Sequence, residues 1–230
     1  LSNAMERAQQ AISRGESSAY QSVSRIATAM RLHHLINHLL CQGVAASSEF
    51  LERLSRSEQS QNKSTRNFLR DGRVSSLRKS LAEMGEIHTK VSAVRRLVSE
   101  RLRRNSNSRI IVFATFRDTV AAVEKSLDGL DGARPIQFVG QSSRGGREGL
   151  TPKQQIERLD KFRSGSANVL VATSVGEEGL DIPSADLVIF YEPVSSEIRT
   201  IQRRGRTGRH REGEDVVLIA EDTRDEGARA

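Results

Sequence analysis

The chain has 230 residues, 36% of them hydrophobic and 28% charged, so it holds one large domain or two small ones. Its formal net charge of +7 points to a polyanionic partner, most simply nucleic acid. With no Trp, two Tyr and seven Phe, recognition by stacking bases on an aromatic sheet is disfavoured, and contacts to backbone phosphates are favoured.

Leu1 to Ala4, ahead of Met5, read as a cloning remnant, and residues 1–5 are left out of fold reasoning. Residues 6 to about 104 read as helical. Ser17 or Ser18 caps a helix whose apolar positions Tyr20, Val23, Ile26, Met30, Ile36, Leu39 and Leu40 lie near a 3.6-residue period, and Gly43 ends it. Phe50, Leu51 and Leu54 mark a short second helix. Ser55 to Thr65 is polar and is read as a mobile loop. Val74, Leu77 and Leu81 form another helix, stopped near Gly85. The next helix follows Ile87, with Val91, Val94, Leu97, Val98 and Leu102 inward and Lys90, Arg95, Arg96, Arg101, Arg103 and Arg104 outward. A lone Cys41 excludes an internal disulfide and fits a reducing, intracellular setting. His34, His38 and Cys41 share a helix face, but a zinc site normally needs a fourth ligand, so packing is the better reading and no metal site is expected. No apolar run approaches the roughly 20 residues of a membrane helix, so no membrane partner is expected.

From Arg109 the pattern becomes strand alternating with helix. Ile110 to Phe113 is a continuous apolar run, as a strand covered on both faces requires. A helix over about Arg117 to Leu127 and a strand at Ile136 to Val139 follow. Gly140 to Leu150 is a polar loop. Thr151 and Pro152 start a helix with Ile156, Leu159 and Phe162 inward. Further strands are read at Val169 to Val171, Leu187 to Phe190 and Val216 to Ile219. These units predict an α/β fold: a mostly parallel sheet with helices on both faces, preceded by an all-helical segment. Ligands of such sheets bind beyond the carboxyl ends of the strands.

Two loops carry the chemistry. After the strand at Val169, Thr173 and Ser174 place hydroxyls and amides where they can hold a phosphate, Gly176 and Gly179 permit a tight turn, and Asp181 can accept from a sugar hydroxyl. Between the last two strands, Arg199 to Arg211 contains six arginines and no acidic residue, with Arg206 and Arg209 three apart. Arginine presents a rigid fork of donors that cannot lose its charge, which suits a polyphosphate. A solvated basic helix face is the plain alternative for that run taken alone.

In chain order, Phe113-Ala-Thr-Phe-Arg117, the Gly140-Gln141 loop, Ala172-Thr-Ser-Val-Gly-Glu-Glu-Gly-Leu-Asp-Ile-Pro183 and Gln202-Arg-Arg-Gly-Arg-Thr-Gly-Arg209 resemble motifs IV, IVa, V and VI of the second RecA-like domain of superfamily two helicases. The combination is most similar to archaeal Hef and the Fanconi anaemia M-type DNA helicase-translocases. The resemblance is dense from about Ile87 to Asp225; residues 20 to 86 more loosely resemble the helical insertion between the two motor domains. It implies a division into a helical segment, 6–86, which is the C-terminal part of that insertion, and a RecA-like domain, 87–230. It implies that Arg206 and Arg209 are the catalytic arginines reaching the γ-phosphate, that Gln202, Gly179 and Asp181 meet the nucleotide, and that Thr115, Arg117, Gln141, Thr173 and Ser174 grip nucleic-acid phosphates.

The implied cofactors are ATP and Mg2+, the implied partners DNA, or alternatively RNA, and an N-terminal RecA-like domain of the same parent chain. No GxxxxGK[ST] run and no DExH or DExD run with a following SAT occurs. The phosphate cradle is therefore expected in that other motor domain, and this chain alone is expected to be inactive. An RNA helicase or sensor, or a non-catalytic nucleic-acid-binding module on the same fold, are the competing readings.

Overall fold

A computed structural model describes residues 1–16, 18–56, 62–141, 149–173, 183–193 and 213–227. Among these residues six helices come first: α1 (Ser2–Ser13), α2 (Ala19–Cys41), α3 (Val44–Arg56), α4 (Lys63–Arg70), α5 (Gly72–Glu83) and α6 (Thr89–Arg104). Then follow β1 (Ile110–Ala114), α7 (Arg117–Leu127), β2 (Pro135–Phe138), α8 (Pro152–Ser164), β3 (Val169–Thr173), β4 (Leu187–Phe190), β5 (Glu214–Val217) and α9 (Arg224–Gly227).

The five strands form one parallel sheet in the order β2-β3-β1-β4-β5. β1, β3 and β4 are buried along their whole length, which is why each reads as an unbroken apolar run. The connection through α7 moves toward the β2 edge and the one through α8 moves back. Right-handed crossovers therefore put these two helices on opposite faces of the sheet. α6 supplies Val91, Val94, Val98 and Leu102 to the same core as the strands. The fold is the RecA-like sheet that the strand pattern and motif order imply. Its last strand begins two residues earlier than its apolar run, because Glu214 pairs with Leu187 at the exposed edge.

A second, smaller core joins Leu35, Val44, Phe50, Leu51, Leu54, Phe68, Val74 and Leu81 across α2 to α5. Gly43 ends α2 for two reasons. Its φ is +113°, and a Cβ there would stand 3.0 Å from both carboxylate oxygens of Glu86. Those oxygens accept the first amides of α3, from Val44 at 3.1 Å and Ala45 at 2.9 Å, so a carboxylate caps the positive end of the helix. Arg53 of α3 pairs with the buried Asp118 of α7 at 2.9 Å, docking the helical part on the sheet domain.

Several expectations for the helices are corrected. The stripe expected inward on α2 is largely outside: Tyr20, Met30, Ile36 and Leu40 are exposed, while Ala19, Leu35, His38 and Cys41 are buried. Apolar residues surround this helix, so periodicity could not choose the face; docking against α3 and α4 does. Ser18 stands at the N-cap position without making a capping bond, and Ser17 lies outside the described residues. The loop expected over Ser55–Thr65 is shorter. α3 runs to Arg56, and Ser64 and Thr65 are buried in α4, where each hydroxyl accepts from Arg31 at 2.8 Å. Residues 57–61 lie outside the described residues. Lys90, expected outward, is buried. In α8, Thr151 and Gln154 close a capping box as the sequence suggests, but Ile156 is exposed and its neighbour Gln155 is buried instead.

Candidate nucleic-acid interface

The chain leaves β1 toward one edge of the sheet and β4 toward the other, and these strands are neighbours. Their carboxyl ends thus form the switch-point crevice where open α/β sheets bind ligands. Beyond β1 stand Thr115 and Phe116, and beyond β4 stand Tyr191 and Glu192. Thr115 is exposed, and its backbone N–H donates to both oxygens of the Glu192 carboxylate, at 3.2 and 3.1 Å.

The other described site residues gather along the same rim. Arg117 opens α7, and its Nη2 donates to the Gly140 carbonyl at 2.7 Å. Gln141 Nε2 donates to Gln155 Oε1 at 3.0 Å, and Gln155 Nε2 donates to the Val139 carbonyl at 3.1 Å. Gln155 is buried for this purpose, which explains the inversion with Ile156. Thr173 is the last residue of β3, paired in register with Ala114. Thr115, Arg117, Gln141 and Thr173 therefore sit together at the carboxyl ends of β1, β2 and β3. Ser174, Gly179, Asp181, Gln202, Arg206 and Arg209 lie outside the described residues, as do residues 142–148 of the Gly140–Leu150 loop.

A buried polar layer under this rim was not anticipated from the sequence. Lys90 Nζ donates to the carbonyls of Cys41 at 3.3 Å and Tyr191 at 2.8 Å and to the carboxylate of Asp225. The Tyr191 hydroxyl donates to the Gln42 carbonyl at 2.8 Å, and Thr119 Oγ1 donates to Gln42 Oε1 at 2.7 Å. One signal was available: Lys90 is four residues before Val94, on the apolar side of α6. Nothing near Asp225 or Gln42 marks them, because their partners are remote in sequence.

His34 and His38 pack at 4.3 Å between ring centroids, against Phe50 and Phe116. Among the described residues no group of three His, Cys, Asp or Glu is placed to hold a metal ion. Nor is any helix among them long and apolar enough to cross a membrane.

Burial lowers the His38 pKa to about 4, helped by the neighbouring His34. Burial pushes Glu192 up to about 7, against the bond from Thr115 and the field of Lys90. The two act in opposite directions. A depressed histidine contributes stability above its unfolded pKa that is lost as pH falls from about 6.5 toward 4. A raised carboxyl contributes stability at low pH that is lost as pH rises from its ordinary range through about 7. Replacing His38 by Phe is therefore expected to remove an acid-linked loss of up to about 3 kcal/mol between neutral pH and pH 4. Denaturant unfolding of parent and variant across that range measures it; parallel profiles would contradict it.

The family model described as "Helicase conserved C-terminal domain" matches residues 89–211. Over 207 residues, 90% of the chain, it is 39% identical to a Methanocaldococcus jannaschii protein named "Putative ATP-dependent RNA helicase", of which it spans 26%. It is 47% identical over 114 residues, half of the chain, to the ATP-dependent DNA helicase mph1 of Neurospora crassa, of which it spans 10%. Among solved structures it resembles the Pyrococcus furiosus Hef helicase domain, with 39% identity and a TM-score of 0.68, covering 95% of this chain and 45% of that one. The chain thus spans about a quarter or less of the curated relatives cited.

Proposed function

The chain belongs to the helicase C-terminal domain family, and we propose that it is the second motor domain of an ATP-dependent DNA helicase or translocase acting on branched or fork DNA in repair. The observation that carries this reading is the convergence of Thr115, Arg117, Gln141 and Thr173 on the rim formed by the carboxyl ends of β1, β2 and β3, within the matched span. The names of relatives such as the Neurospora DNA helicase support the substrate class. Residues 6–86 are assigned to the end of an inter-motor helical insertion and 87–230 to the motor domain. The parent protein acts inside the cell on this reading.

Each residue has a physical task. Thr115, Arg117, Gln141, Thr173 and Ser174 contact phosphates of the tracking strand through hydroxyl, amide and guanidinium donors, which position the strand without reading its sequence. Asp181 accepts from the ribose on a turn shaped by Gly179, and Gln202 meets the nucleotide. Arg206 and Arg209 direct fixed positive charge at the phosphoryl group undergoing transfer. ATP supplies that group and Mg2+ neutralises part of its charge; both are held mainly by the first motor domain of the parent. The archaeal relative named as an RNA helicase favours RNA as the second reading.

The chain on its own is expected to turn over no ATP, with or without DNA, yet to bind single-stranded DNA weakly and without sequence preference. With about four phosphates neutralised, counterion release predicts roughly a 50-fold loss of affinity between about 50 and 200 mM salt. Fluorescence anisotropy and a phosphate-release assay check both. DNA-stimulated turnover, or salt-independent binding, would sink the reading. Tighter binding to RNA of the same length would favour the second.

A further inference from the structure

The Thr115 amide stands where the sheet runs out. Up to that point β1 is held by its neighbours, Ala114 in register with Thr173 on one side and the Tyr191 amide donating to the Phe113 carbonyl at 2.8 Å on the other. The next amide has no strand left to pair with, and the side chain of Glu192 takes the place of a ladder bond, accepting with both oxygens. Glu192 is 5% exposed. Beside it lies Gln42, 1% exposed, which holds Tyr191 through its carbonyl and Thr119 through Oε1. Among the described residues the Gln42 Nε2 has no hydrogen-bond partner of ordinary geometry, and it stands against the Glu192 carboxylate. Three elements thus converge on one loop: the end of α2, the end of β4 and the start of α7.

We propose that Glu192 and Gln42 are positioning residues for the nucleic-acid contact at Thr115, fixing the backbone beyond β1 so that the exposed hydroxyl meets a phosphate of the bound strand. This rests on the reading of Thr115 as a phosphate contact. Buried side chains that only fill space would not need a carboxylate here; Ala or Gly at 192 would leave the amide to water. A carboxylate also sets a condition on the contact. Protonated, it adds no charge to the rim; ionised, it puts a poorly screened negative charge next to the phosphate. Burial pushes Glu192 up to about 7, so its charge changes near neutrality. Among the described residues the charged groups facing it are Lys90 of α6, whose field favours the ionised form, and Asp225 of α9, whose field opposes it; the two are paired with each other, so their effects partly offset.

The test uses this chain and a fluorescein-labelled single-stranded DNA oligonucleotide, read by anisotropy at low salt, with a thermal melt of each variant. Thr115→Ala is expected to weaken binding about tenfold, the usual worth of a hydrogen bond to a charged group. Glu192→Ala is expected to weaken it by at least about threefold, because the loop loses its brace. Glu192→Gln keeps an acceptor for the Thr115 amide and cannot ionise, so it is expected to keep the parent's affinity at about pH 6. Between about pH 6 and 8 the parent is expected to lose at least about threefold more affinity than Glu192→Gln. Histidines common to both proteins cancel in that ratio.

If Thr115→Ala has no effect, the phosphate-contact reading fails and the proposal fails with it. If Thr115→Ala weakens binding but Glu192→Ala does not, the brace alone is overturned. If Glu192→Ala does not fold, Glu192→Gln decides: a pH profile unchanged from the parent overturns the proposal, and a flattened one with affinity retained supports it.

Discussion

Arg206→Ala or Arg209→Ala in the proposed parent helicase is expected to lower the ATPase kcat by about 10²-fold or more, with little change in nucleic-acid affinity. Both residues lie outside the described residues, and their role is the one implied by the resemblance of Gln202 to Arg209 to motif VI of superfamily two helicases. Charge moves onto phosphoryl oxygens in the transition state, and a preorganised cation is worth more there than in the ground state. Removing it costs kcat and kcat/KM together and leaves ground-state binding nearly intact. Arginine fingers contribute roughly 10³–10⁵ in rate, so a loss of about 10² per residue is a conservative expectation. Lysine at 206 is expected not to rescue, since an ammonium cannot present two coplanar donors. A loss of DNA affinity in proportion to charge removed, restored by lysine, is what a plain basic patch would give.

Lys90→Met is expected to destabilise the chain by about 3–5 kcal/mol, the cost of leaving a buried charge without its partner. Lys90 and Asp225 are each 3% exposed and are paired. Met keeps the aliphatic stem but strands the Asp225 carboxylate, which among the described residues would then keep only the Ala220 amide, at 3.2 Å. The carbonyls of Cys41 and Tyr191 lose a donor as well. The loss is structural: this one ammonium joins the end of α2, the end of β4 and the C-terminal α9 through α6. Adding Asp225→Leu is expected to recover much of the loss, because replacing a whole buried ion pair by apolar groups is often neutral or better. Denaturant unfolding of the parent, both single variants and the double variant completes the cycle. A single-variant loss below about 1 kcal/mol would mean that the pair behaves like an exposed one.

The sheet was legible because strands buried on both faces leave unbroken apolar runs, as at Ile110 to Phe113 and Leu187 to Phe190. The edge strand was not placed as well. Its pairing begins at the acidic residues Glu214 and Asp215, before the apolar residues that caught attention. Capping chemistry placed α8 correctly, since Thr151, Pro152 and Gln154 act locally. The face of α2 could not be read, because tertiary docking decides which of many apolar residues are covered. α4 escaped notice for a related reason: eight mostly polar residues are helical because Phe68 is buried and Asn62 caps the first turn.

The candidate site divides along the same line. Motif order drew attention to Thr115, Arg117, Gln141 and Thr173, and the sheet brings all four to one rim. The layer beneath them was hidden. Gln42 lies 77 residues from Thr119 and 149 from Tyr191 in the chain, and Lys90 lies 135 from Asp225. No local pattern marks such pairs.

The most direct measurement takes ATP hydrolysis and DNA affinity together on the same variants of the proposed parent helicase: Arg206→Ala, Arg206→Lys, Arg209→Ala, Thr173→Ala and Arg117→Ala. A motor domain with separate nucleotide and strand sites predicts that the two activities part. Changes at 206 and 209 should lower turnover by about 10²-fold or more at nearly constant affinity, while changes at 117 and 173 should weaken DNA binding and its stimulation and spare basal hydrolysis. Affinity and turnover falling in step across all five variants, or full turnover from Arg206→Lys, would contradict it.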